Sequence, residues 1–70
     1  MNLRITKNTL AKVSDKNGNS QWVEYPEGDT FEVDQLRIHA NNVASVLLPN
    51  DNFFELPSQN CRIVNRFTTG

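Results

Sequence analysis

A chain of 70 residues and 8.0 kDa holds one small domain and leaves no room for a second core. Its 37% hydrophobic and 21% charged composition excludes collagen-like, low-complexity and disordered classes. The net charge of -1 supplies no basic excess for nucleic acid or an anionic membrane. The longest apolar run, Val43-Ala44-Ser45-Val46-Leu47-Leu48, falls far short of the roughly 20 residues that a membrane span needs. A single Cys rules out an internal disulfide, and one Cys with one His rules out a standard structural zinc site.

Helical spacing is poor along the whole chain; short alternating apolar runs recur between turn residues. After Met1-Asn2 no long apolar run follows, so we expect no secretory signal, and the free thiol of Cys61 suits a reducing, cytoplasmic setting. Leu3 and Ile5 alternate with polar neighbours. Thr9-Leu10-Ala11-Lys12-Val13-Ser14 reads as a strand with Ala11 and Val13 on one face. Asn17-Gly18 centres a turn over residues 15–20 and suits positive φ at both positions. Gln21-Trp22-Val23-Glu24-Tyr25 alternates again, and Pro26-Glu27-Gly28-Asp29 is a second turn.

Thr30-Phe31-Glu32-Val33-Asp34 turns Phe31 and Val33 inward, and Leu36-Arg37-Ile38-His39-Ala40 extends the pattern. After Asn41-Asn42, the run from Val43 to Leu48 reads as a central strand covered on both faces. Pro49-Asn50-Asp51-Asn52 is a third turn. Phe53-Phe54-Glu55-Leu56 is a short strand, Pro57-Ser58-Gln59-Asn60 a single helical turn, and Cys61-Arg62-Ile63-Val64 a final strand. The expected ordered core is residues 3–66, with Thr68-Thr69-Gly70 frayed. Frequent turns between short strands mean a small barrel or sandwich.

Glu27-Gly28-Asp29-Thr30-Phe31-Glu32-Val33 resembles the strand after the first loop of bacterial SH3 domains. The stretch from Arg4 to Val13 looks like their opening strand pair, and Ala44 to Asp51 is similar to their central hairpin. Phe53 to Val64 resembles their closing strand, helical turn and last strand. The resemblance runs in order over residues 3–64. It implies an all-β, SH3-like barrel of five to seven short strands with one helical turn near residues 57–60. SH3 domains that bind proline-rich peptides line a groove with aromatic rings. Here the expected Trp position falls at Asn41-Asn42-Val43, and the expected Tyr falls at Asn60 or Cys61. Only Pro57 fits, so a polyproline ligand is not implied.

Catalysis has little to build on. His39 reads as a strand histidine and Cys61 as a small buried residue, with no third group to orient such a pair. The eight acids are scattered over turns and strand faces, and no glycine-rich phosphate loop exists. We therefore expect no enzyme, no cofactor and no metal. Lys12, Lys16, Arg62 and Arg66 form at best a modest basic patch, so nucleic acid is an unfavoured partner.

A protein surface is the stronger reading. Side chains alternate along a strand, so one of Trp22 and Tyr25 must face outward, and so must one of Phe53 and Phe54. With Leu56 aligned to Phe54, Phe53 is the outer ring. Exposed rings on a small chain without disulfide or metal suggest a partner or self-association. The expected function is a non-catalytic protein-binding module acting through Trp22, Tyr25, Phe53, Asn41, Asn42 and Pro57. A subunit that self-assembles through the same apolar surface, or by edge-strand pairing, is the alternative.

Overall fold

The computed structural model describes residues 1–64 of the chain. Strands form where apolar residues alternate. In β1 (Asn2–Ile5) Leu3 and Ile5 are buried, and in β2 (Thr9–Ser14) Ala11 is buried with Val13 packed beside it. The chain continues through β3 (Ser20–Tyr25), β4 (Thr30–Glu32), β5 (Gln35–Ile38), β6 (Val43–Leu47), β7 (Phe53–Pro57) and β8 (Cys61–Val64). A 3-10 turn over Ser58–Asn60 separates the last two strands. The all-β architecture and the short helical turn expected from the sequence are both present. Residues 65 and 66 of the expected core, Phe67 and the expected frayed end lie outside the described residues.

The strands form two antiparallel sheets, ordered β4-β1-β8 and β3-β2-β7-β6-β5. They sandwich one core. Leu3, Ile5 and Cys61 enter it from the smaller sheet, and Ala11, Ala44, Val46, Phe54 and Leu56 enter from the larger. Among the described residues the ladder does not close into a barrel, so each sheet keeps two edges. Among the described residues eight strands stand where five to seven were expected, because the run from Thr30 to Ile38 divides. The Val33 N–H donates to Met1 O at 2.8 Å, while the Asp34 N–H donates to Leu47 O at 2.8 Å. Neighbouring residues thus bond to different sheets, and the chain crosses between layers at Val33-Asp34.

Three rings bridge the layers. Phe31 from β4 lies 4.8 Å from Tyr25 of β3 and 5.5 Å from Phe54 of β7, and Tyr25 lies 5.3 Å from Phe54, all measured between centroids. The planes are tilted by 58° to 64°, which sets ring edges against faces as the aromatic quadrupole favours. Phe54 is fully buried and Phe53 remains 38% exposed, the division expected from alternation along β7.

One loop construction recurs in three hairpins. Residue i donates its N–H to the carbonyl of i+4, and i+3 donates back to the carbonyl of i. This holds for Asp15 with Asn19, His39 with Val43, and Leu48 with Asn52. The i+3 residue has positive φ in each: Gly18 at 88°, Asn42 at 65° and Asp51 at 69°. That is the three-residue hairpin closed by a left-handed residue. It corrects the expectation of positive φ at both Asn17 and Gly18, since Asn17 does not adopt it. The cause is Asp15: its carboxylate accepts the N–H groups of Asn17 at 2.9 Å and Asn19 at 3.0 Å and fixes the turn one residue wider.

β6 supplies a second correction. It is not covered on both faces. Ala44 and Val46 are buried, whereas Val43, Ser45 and Leu47 lie half-buried on the outside of the larger sheet.

Asp51 and Asn42 occupy a backbone region that costs an L-residue roughly 1–2 kcal/mol. Replacing Asp51 with Gly should raise unfolding stability by up to about 1 kcal/mol in urea titration, and Asp51→Val should lower it. The hydrogen bonds from the Asn19, Asn17 and Gly18 backbone and from the Asn19 side chain hold the Asp15 carboxyl below its ordinary pKa. A lowered folded value means that Asp15 stabilises the fold above the ordinary carboxylate range and that this contribution is lost as pH falls through the lowered value. Asp15→Ala should therefore lower the melting temperature at neutral pH, with the difference from wild type shrinking in acid.

Candidate functional site

Directly opposed residues of antiparallel strands point to the same face, so the register writes out the outer surface of the larger sheet. Its central row runs Trp22, Lys12, Glu55, Ser45, Arg37 across β3, β2, β7, β6 and β5. The row on one side runs Ser20, Ser14, Phe53, Leu47, Gln35. On the other side Glu24 opposes Leu10, and Val43 opposes Pro57. Apolar side chains thus stand at the Leu10–Pro57–Val43 end and around Trp22, with charge along the middle.

A groove of about 540 Å³ opens on this face. Leu10, Trp22, Val43 and Pro57 form its apolar wall, Lys12 and Glu55 its charged rim, and Asn8 and Thr9 one end. The size is that of a small binding cleft. Trp22 is 68% exposed and Leu10 58%, a large apolar area left in water on so small a chain. Asn60 fixes the Thr9 end. Its Nδ2 donates to Thr9 Oγ1 at 3.0 Å and its backbone carbonyl accepts the Thr6 N–H at 2.8 Å. Among the described residues, buried Asn60 Oδ1 finds no hydrogen-bond partner.

Trp22 and Pro57, both expected as binding residues, are brought together in this groove. Asn41 lies alongside, in a depression of about 400 Å³ with His39 and Ala40 that shares Val43 and Glu55 with the groove. Asn42 is the left-handed residue of the adjoining loop, and its role there is to turn the chain. Phe53 stands apart, two strands from Trp22, over a hollow with Arg37 and Leu47. Tyr25 is placed differently from the expectation of a contact residue. Its ring packs on Phe31 and Phe54, and burial, with the charge of Asp29, pushes its hydroxyl pKa up.

Leu10, Val43 and Glu55 were not singled out in the sequence. The signal for Leu10 was present, because it alternates with the inward Ala11. Val43 was obscured by its apolar run, which reads as core from either side.

The remaining polar groups are dispersed. His39 Nε2 and Ser45 Oγ lie 2.8 Å apart on the outer face. Cys61 is buried in the smaller sheet, its thiol directed at Ser58 O at 3.7 Å and its pKa raised by burial. Among the described residues, no group of three His, Cys, Asp or Glu side chains is placed to hold a metal ion. No described helix is long and apolar enough to cross a membrane. Lys12 borders Trp22 and Lys16 sits in the first hairpin loop, whereas Arg62 pairs across from Arg4 in the other sheet. Arg66 lies outside the described residues. Among the described residues, Lys12, Lys16 and Arg62 are therefore not gathered into one patch.

No protein-family model, no curated protein and no solved structure matches the chain.

Exposed side chains away from special backbone positions contribute little to folding. Trp22→Ala should leave urea-unfolding stability within about 0.5 kcal/mol of wild type. A thiol reagent should label native Cys61 far more slowly than the unfolded chain, because the sulfur is both covered and protonated.

Proposed function

We propose that the protein is a non-catalytic protein-binding module that takes an apolar segment of a partner into the Leu10–Trp22–Val43–Pro57 groove. The observation that carries this reading is the exposed indole of Trp22 beside the exposed Leu10, over a cleft whose apolar wall is otherwise Val43 and Pro57. Burying a Trp and a Leu together removes enough apolar surface from water to anchor a contact, and Trp dominates interface hot spots. Lys12 and Glu55, opposed in the centre of the face, would orient the partner by its own charges.

The SH3-like reading belongs with this proposal. Its support is the order of elements: a first strand, a long hairpin, a strand that crosses between sheets, a second hairpin, a 3-10 turn and a last strand paired with the first. In that frame the position where peptide-binding SH3 domains have a Trp falls at Asn41-Asn42-Val43, and the position where they have a Tyr falls at Asn60 or Cys61. The groove is accordingly aliphatic, with its one ring donated by β3. It suits branched apolar side chains better than a polyproline helix.

A nuclease-treated pull-down from native extract, with wild type and Leu10→Lys compared, tests the proposal. A stoichiometric protein partner retained by wild type and by Phe53→Ala but lost with Leu10→Lys is the expected result. Equal capture by wild type and a folded Leu10→Lys variant would place the contact elsewhere and overturn it.

A further inference from the structure

Among the described residues, β3 is an open edge of the larger sheet, paired with β2 alone. The other edges are short or carry a cation: β4 has three residues, β5 has four with Arg37, and β8 has four with Arg62. β3 has six residues and a single charge, Glu24, with no Lys, Pro or Arg inside it. Natural sheets usually blunt such an edge. The hairpin bond from Asp15 N–H to Asn19 O sets which residues of β3 face β2, since bonded and non-bonded pairs alternate. Gln21, Val23 and Tyr25 turn their N–H and C=O groups to β2. Ser20, Trp22 and Glu24 turn theirs to the open side.

We infer that two copies of this chain pair through antiparallel β3 edges, with Trp22 opposite Trp22 of the second copy. In this register Ser20 opposes Glu24 of the other chain, and three bonded pairs each exchange two hydrogen bonds. The lone charge of the strand then meets a hydroxyl instead of its own copy. The twofold registers on either side are worse. One places Pro26, which lacks an N–H, at a bonding position. The other opposes Glu24 to Gly18, inside the hairpin loop. The paired indoles rise on the outer face and join the two apolar grooves across a continuous sheet. The inference does not rest on the groove having a partner.

Sedimentation equilibrium of the full chain tests it with a charge swap at Ser20. Ser20→Glu sets like charges opposite each other twice in the dimer, and Ser20→Lys sets opposite charges there. Both variants lose the same hydroxyl contact between Ser14 and Ser20, 3.0 Å long, so any effect on folding is common to the two. Wild type should dimerise, Ser20→Glu should raise the dimer dissociation constant about tenfold, and Ser20→Lys should lower it. Leu10→Lys should leave that constant unchanged while abolishing groove binding, which separates the two proposals. A wild-type chain that stays monomeric at millimolar concentration, or the same shift from both Ser20 variants, would overturn the inference.

Discussion

The contact on which the rest depends is the meeting of Phe31, Tyr25 and Phe54 between the two sheets. Phe31 belongs to the smaller sheet and the other two rings to the larger, so the cluster is a direct tie between layers that do not otherwise close. It also sets orientation. With Phe54 inward, the pleat forces Phe53, Glu55 and Pro57 outward. With Tyr25 inward at the end of β3, Trp22 must face out. The groove is thus a by-product of how the core is filled: the rings that anchor the inside leave Trp22 and Pro57 of the same strands in water, beside Leu10 of β2.

That arrangement gives the larger sheet two different faces. The inner one is a small core with buried residues such as Phe54 and Leu56 at its centre. The outer one is a mixed surface, apolar at Leu10, Trp22, Val43 and Pro57 and charged at Lys12 and Glu55. A core this small supports a fold only narrowly, and no disulfide reinforces it. Surface that gains another layer of protein, from a partner in the groove or a second copy at the β3 edge, adds burial that the monomer lacks. Stability and proposed function point to the same face for this reason.

Much of the fold was legible because period-two patterns are local. Leu3, Ile5, Ala11 and Val33 lie on the faces that alternation assigns, and turns fall at the Asn, Asp, Gly and Pro clusters. Less legible features depended on hydrogen bonds between distant residues. The division of β4 from β5 needs Met1 and Leu47 as acceptors for neighbouring N–H groups, a fact no window around Val33 contains. The wider turn at Asn17 depends on the Asp15 carboxylate, and the half-exposed face of β6 depends on what fails to cover it. Of the site, Trp22 was recognisable from chemistry and alternation, and Pro57 from the SH3 resemblance. Leu10 and Val43 become site residues only when β2, β7 and β6 are set side by side.

The most direct test of this account is a double-mutant cycle between Phe31→Leu and Phe54→Leu, followed by urea unfolding. The account predicts a coupling energy of about 1 kcal/mol beyond the sum of the single effects, as expected for edge-to-face rings that hold two layers together. Losses that simply add, to within about 0.3 kcal/mol, would show that the rings fill space independently and would contradict the ring cluster as the tie that orients both faces of the larger sheet.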